Sequence, residues 1–171
     1  KFGGSSVATL DRIKNIAARV QKLKHEYQDV VVVVSAMGDT TDDLLVMAQE
    51  IGNDLSCREL DMLLSTGEQQ SAALLALTLN SIGIKAISLT GWQAGIKSDS
   101  AHSKAKISAI DNQRIRDEFK QGNVVVVAGF QGINCGGDIT TLGRGGSDTT
   151  AVALAASLKA DRCMIFTDVS G

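Results

Sequence analysis

Val30-Val31-Val32-Val33-Val34, followed at once by Ser35-Ala36-Met37-Gly38-Asp39-Thr40, decides how the rest of the chain reads. Five consecutive β-branched residues are too few for a helix and leave no polar face, so the run is a strand buried on both faces, the pattern of a parallel sheet. On its N-terminal side Val7, Leu10, Ile13, Ile16, Ala17, Val20 and Leu23 recur at spacings of three and four. They predict an amphipathic helix from Ser6 to about Tyr27, with Ser5 or Ser6 as its N-cap. On the other side, 44–51 and 58–64 read as helices, and Ser65-Thr66-Gly67-Glu68 as a capping box opening a further helix to about Ser81. The runs 85–89, 105–110, 124–128 and 164–166 read as strands, and 112–120 as a short helix. Alternation of this kind implies an α/β fold, a mainly parallel sheet with helices on both faces in an α/β/α sandwich. Ligands of such sheets collect at the carboxyl ends of the strands. Four polar or glycine-rich segments fall there: Lys1-Phe2-Gly3-Gly4-Ser5-Ser6, Ser35 to Thr40, Gly129-Phe130-Gln131-Gly132, and Thr167-Asp168.

A fifth segment joins them. Thr141-Leu142-Gly143-Arg144-Gly145-Gly146-Ser147-Asp148-Thr149-Thr150 leads into the apolar stretch 151–160. Three glycines in four positions allow φ > 0 and a close approach of backbone to ligand, and the first N–H groups of a following helix lack intrahelical partners, so anions fit there. The arginine adds a carboxylate or phosphate clamp. Asp148 and Ser147 also suit the cap of a helix beginning near Thr149.

Composition narrows the chemistry. The 171 residues are 44% apolar, enough for one domain with a core, and 17 Lys plus Arg against 19 Asp plus Glu leave a formal charge of −2. No basic field is present to recruit nucleic acid or an anionic membrane. Cys57, Cys135 and Cys163 are odd in number and widely separated, which suits reduced thiols in the cytoplasm rather than a disulfide or zinc framework. No apolar run reaches membrane-spanning length. The sequence has no G-x-x-x-x-G-K-[ST], and its glycine loop lacks the strand and acidic residue of a dinucleotide fingerprint. His25 and His102 are the two histidines, too few for a His-based hydrolase or zinc centre. Phosphoryl transfer, which depends on positioning and positive charge, remains open.

Six motifs in one order carry a resemblance: Lys1-Phe2-Gly3-Gly4-Ser5-Ser6-Val7, the Val-Ser-Ala-Met-Gly segment ending at Gly38, Leu64-Ser65-Thr66-Gly67-Glu68, Gly129-Phe130-Gln131-Gly132, Gly143-Arg144-Gly145-Gly146-Ser147-Asp148 and Thr167-Asp168-Val169. End to end, the chain resembles the aspartate kinases of the amino acid kinase family. That resemblance implies ATP-dependent phosphorylation of the β-carboxylate of L-aspartate to 4-phospho-L-aspartate, the entry step to lysine, threonine and methionine. It implies Lys1 at the transferring phosphoryl group, with Gly3, Gly4 and Ser5 beside it, and Asp148 as the carboxylate that orients the lysine. Arg144 would grip a substrate carboxylate and Glu68 its α-amino group. Ser35, Thr40 and Ser147 would add polar contacts, and Phe130 an apolar wall. Thr167 and Asp168 would begin the nucleotide-binding half, and Mg²⁺ would arrive on ATP rather than in a protein cage.

The same residues support plainer readings: a loose terminal lysine, a solvated loop arginine, a capping-box glutamate. Both ends read as cut. By resemblance, residues 1–171 form the N-terminal, substrate-binding part of a catalytic domain whose nucleotide lobe and regulatory ACT domains lie elsewhere, in a parent that is a homo-oligomer; the isolated stretch is then expected to be inactive. The alternatives are another amino acid kinase, acting on glutamate, acetylglutamate, carbamate or UMP, and a non-catalytic binding module.

Overall fold

The computed structural model describes residues 1–166, so Thr167 and Asp168 lie outside the described residues. A 3₁₀ turn at Ser5–Val7 precedes α1 (Leu10–Glu26), β1 (Val31–Val34), α2 (Thr40–Ile51), α3 (Cys57–Ser81), β2 (Ala86–Leu89), β3 (Ile96–Ser98), β4 (Ile107–Ile110), α4 (Gln113–Lys120), β5 (Val124–Ala128), β6 (Gln131–Ile133), β7 (Ile139–Thr141) and α5 (Gly146–Leu158).

The valine run is a parallel strand, as its composition requires. β1 and β2 flank β5, both parallel to it, and Phe2 and Phe166 extend the same sheet through single parallel bridges beyond β1. Every residue of β5 is buried, because side chains on both of its faces meet a layer. Val124, Val126 and Ala128 join Ile13, Val20, Leu75 and Leu79 of α1 and α3. Val125 and Val127 join Ile115 of α4, Leu154 of α5 and Ile96 of β3. The sheet is thus covered on both faces.

Several expectations are corrected. The first helix is capped by Thr9, in extended conformation, whose Oγ1 accepts from the Arg12 N–H at 3.3 Å; Ser5 and Ser6 belong to the separate 3₁₀ turn. Residues 58–81 are one helix, not two. The capping box does not form: Ser65 Oγ donates back to the Met62 carbonyl at 2.8 Å, the usual use of a serine inside a helix, and Glu68 points elsewhere. The α5 helix starts at Gly146, so Ser147 and Asp148 sit in its first turn and neither caps it. In place of a strand at 164–166, the sheet has the single bridge at Phe166. A second sheet, ordered β4-β3-β6-β7 and mixed in direction, was not foreseen; three of its strands are three residues long, too short to show a period. Its connections rather than its strands reach the cleft at the carboxyl end of β5: Ser103, between β3 and β4, and residues 143–145, between β7 and α5.

Candidate functional site

The segments at the carboxyl ends of the strands converge. A cleft of about 750 Å³ is lined by Lys1 and Gly4, by Ser35 and Ala36 after β1, by Asp42 and Leu45 of α2, by Leu64 and Glu68 of α3, by Phe130 after β5, and by the run Gly143 to Asp148. A smaller cavity, about 260 Å³, lies between β1, α1 and α5 against Val20, Tyr27, Leu154 and Leu158. The larger cleft has the convergent polar groups.

Lys1 is held rather than frayed. Its backbone nitrogen donates to the Met164 carbonyl at 2.7 Å, its carbonyl accepts from Phe166 N–H at 2.9 Å, and Phe2 N–H donates to Val33 at 3.0 Å. Phe2 stacks on Phe166 at 4.7 Å, with the Arg19 guanidinium 3.9 Å from the Phe166 ring centroid. From this anchored backbone the Lys1 ammonium reaches Asp148 Oδ1 at 2.7 Å. A Cβ on Gly3 would lie 3.6 Å from that ammonium, and one on Gly4 3.0 Å from the Ala36 carbonyl. Gly4 also accepts from the Gly38 N–H at 3.1 Å, closing the first two loops on one another.

Gly129 and Phe130 set the opposite corner. A Cβ on Gly129 would stand 2.7 Å from Ser147 Oγ and 3.0 Å from Ser147 Cα, so the bare glycine is what lets the first turn of α5 reach the end of β5. Phe130 follows at φ = 70°, a costly conformation for an aromatic residue. It is pinned by its N–H to Thr150 Oγ1 at 3.1 Å and by Leu142 N–H to its carbonyl at 2.9 Å. Its ring lies where a side chain on Gly146 would be, 2.7 Å from that Cβ position. The glycine loop is therefore moulded around Phe130, and Arg144 projects from it at the cleft.

Glu68 is the most unusual group in the cleft. Its side chain is 3% exposed; Oε1 accepts from the Ala36 N–H at 3.1 Å, and Oε2, equally buried, has no partner. Burial pushes its carboxyl from an ordinary 4.5 up to about 7, against the opposing pull of the Ala36 and Glu68 backbone donors. A half-satisfied carboxylate at the end of a cleft is a receptor for a cation or hydrogen-bond donor.

Of the residues singled out from sequence, the cleft gathers Lys1, Gly4, Ser35, Glu68, Phe130, Arg144, Ser147 and Asp148. Thr40 is turned away, its hydroxyl donating to the Met37 carbonyl at 2.6 Å, and Thr41 takes its place at the wall. Gly3 and Ser5 flank the cleft without lining it. Asp42, Leu45 and Ser103 were missed. The first two had a usable signal, as the opening turn of a helix following a strand-end loop; Ser103, far along the chain, had none.

The model of the amino acid kinase family matches residues 1–171. The chain is 60% identical over 171 residues to an aspartokinase of Geobacillus stearothermophilus, an alignment that covers 100% of this chain and 42% of the relative. Its fold superposes on an aspartate kinase from Synechocystis with a TM-score of 0.82 at 50% identity, covering 98% of this chain and 28% of that one. An E. coli aspartokinase III solved with aspartate and ADP gives a TM-score of 0.84 over 99% of this chain and 48% of that one; at 24% identity, that likeness speaks to the fold alone. The chain thus spans 42% of the length of the curated relatives it matches. It belongs to the amino acid kinase family.

Proposed function

From that membership we propose that these residues form the amino-acid side of an aspartate kinase, which transfers the γ-phosphoryl group of ATP to the β-carboxylate of L-aspartate and so opens the route to lysine, threonine and methionine. The observation that carries the reading is the pairing, in one cleft, of the unpartnered Glu68 carboxylate oxygen with the Arg144 guanidinium and the Lys1–Asp148 ion pair. An α-amino acid presents an ammonium and a carboxylate a few ångströms apart. Glu68 takes the first and Arg144 the second in a bidentate grip. Ser35 and Ser147 supply polar contacts, and the Phe130 ring closes the apolar side.

The reacting carboxylate is already an anion, so the step needs no general base. Its oxygen forms the new bond to the γ-phosphorus as the bond to the bridging oxygen of ADP breaks. Asp148 accordingly orients Lys1, whose ammonium sits where charge develops on the transferring group. The N–H groups near Gly3 and Gly4 receive phosphate oxygens. Mg²⁺ would be carried in on those phosphates and would neutralise part of their charge; with Asp148 engaged by Lys1, the groups at this end are an ammonium and backbone N–H donors, which suit the phosphates rather than the ion. By resemblance Thr167 and Asp168 belong to the nucleotide-binding half, and the parent is a cytoplasmic homo-oligomer.

The test is ADP formation with Mg-ATP and a panel of L-aspartate, L-glutamate, acetylglutamate and no acceptor. It is run on these 171 residues and on the same residues grafted in place of the matching stretch of the Geobacillus stearothermophilus aspartokinase. Aspartate-dependent ADP is expected from the graft. Arg144→Gln should then raise the KM for aspartate by roughly ten- to a hundredfold with little change in that for ATP. Preference for another acceptor would reassign the chain to a sister kinase, and absence of turnover in the graft would make it a binding module.

A further inference from the structure

Asp61 is a buried carboxylate with no place in the chemistry above. It is 0% exposed, on the same face of α3 as Glu68 and two turns before it. Four hydrogen-bonding approaches converge on it. Thr141 Oγ1 donates to Oδ1 at 2.6 Å, the Ser103 N–H reaches both oxygens at 3.0 Å, and His102 Nδ1 lies 2.8 Å from Oδ2. These partners come from two segments distant in sequence, the connection after β3 and the end of β7. Thr141 is the last residue of β7, and the chain runs from it through Leu142 to Gly143 and Arg144. Ser103 lines the cleft.

Ser103 is also held at φ = 65°, a conformation a serine leaves unless something pays for it. The carboxylate that accepts its N–H supplies that hold. The connection is tied again where Ala105 N–H donates to the Thr141 carbonyl at 2.9 Å. Its far side rests on the glycine loop: a Cβ on Gly143 would lie 3.5 Å from the Ser103 carbonyl oxygen. One carboxylate therefore fixes Ser103, the end of β7 and the origin of the arginine loop to the helix that carries Glu68.

We propose that Asp61 is a positioning residue for amino-acid binding: it straps the 99–105 connection and β7 to α3, and so sets the span between Glu68 and Arg144 into which the substrate's ammonium and α-carboxylate must fit. This deepens the proposed function and rests on it for the identity of the substrate. A span set wrongly by about an ångström weakens recognition of a rigid two-ended ligand far more than it alters phosphoryl transfer once the ligand is seated. Ser103→Gly removes the backbone cost without restoring the carboxylate, so it should rescue part of the loss; a purely packing role for Asp61 predicts no such rescue.

The experiment uses Asp61→Asn, Ser103→Gly and the double variant in the grafted full-length enzyme, with steady-state kinetics and the rate of tryptic cleavage after the exposed Lys104 as readouts. Expected for Asp61→Asn are a KM for aspartate raised roughly ten- to a hundredfold, kcat within about threefold, and faster cleavage, with the double variant recovering part of each. The proteolysis needs no substrate. Faster cleavage in an enzyme that does not use aspartate would leave the strap standing and remove the substrate assignment. If Asp61→Asn does not fold, Thr141→Val and His102→Gln each remove one arm of the strap and are read in the same way. Unchanged KM and cleavage in folded variants, or an equal fall in kcat and kcat/KM without faster cleavage, would overturn the proposal.

Discussion

Glu68 carries one accepted hydrogen bond and one buried oxygen without a partner, and both stability and binding should register it. Its folded-state pKa of about 7 stands above the ordinary 4.5. Between those values the unfolded chain releases this proton while the folded chain keeps it, so stability falls as pH rises through the window; the penalty is complete above about pH 7 and absent below 4.5. Ionising the group in the empty cleft costs roughly 2–4 kcal/mol. Glu68→Gln keeps an acceptor for Ala36 and drops the charge, at the cost of an amide that finds no partner. Urea denaturation should show it more stable than the parent by about 1–2 kcal/mol at pH 8, where the ionisation cost outweighs that of the amide, and less stable by about 1–2 kcal/mol at pH 4, where only the amide cost remains. An equal difference at both pH values would show that charge is not the cause. Binding runs the other way. Only the ionised carboxylate attracts an ammonium, so the KM for aspartate should climb as pH falls below 7, and a flat profile from pH 8 to 6 would remove Glu68 from the amino-acid site.

At the scale of elements, α3 brings Leu64 and Glu68 to the cleft, and it is where the sequence misleads. Ser65 to Glu68 spells a helix start, yet these residues lie in the middle of a 25-residue helix, because burial of Ser65 and Glu68 against β1 and the second sheet outweighs a local cap. Glu68, the residue that the resemblance singles out in this motif, nonetheless lines the cleft. Thr9 lost to Ser5 and Ser6 for a related reason: three small polar residues offer equivalent caps, and only the 3₁₀ turn between them decides. Gly67 gives this helix a testable weak point. Alanine there normally favours a helix by about 1 kcal/mol. Here its Cβ would stand 2.9 Å from Ala36 Cβ and 3.6 Å from Thr40 Cγ2. Ala36 has no rotamer to yield, so its backbone must move, and that backbone donates to Glu68. Gly67→Ala should therefore destabilise by about 1–3 kcal/mol and raise the KM for aspartate. A more stable variant with unchanged KM would show that the β1 loop gives way freely.

On the scale of the whole molecule, the parallel sheet was legible because five valines in a row at 30–34 and four more at 124–127 admit few other structures. The mixed sheet was not, since its strands are too short to carry a period and the pairing that joins its two halves, Lys97 with Ile133, links residues far apart in sequence. Its consequence is functional: its connections place Ser103 and the arginine loop at the same cleft as residues of α2 and α3, so the cleft is walled by loops that join strands of both sheets. Ligand should then reach widely separated parts of the chain while leaving most of the fold untouched. Hydrogen exchange with and without L-aspartate tests this directly. Amides of Val125 to Val127, wholly buried between β1 and β2, should exchange slowest in either state. Aspartate should slow exchange at Ala36 and Gly38, at Ser103, and from Gly145 to Asp148, with no change in α4 or β4. Protection gathered instead at Leu23, Tyr27 and Leu158 would place the ligand in the smaller cavity between α1 and α5 and dismantle the site. The three protected segments lie on three different stretches of chain, and their joint response is what a substrate bridging Glu68 and Arg144 requires.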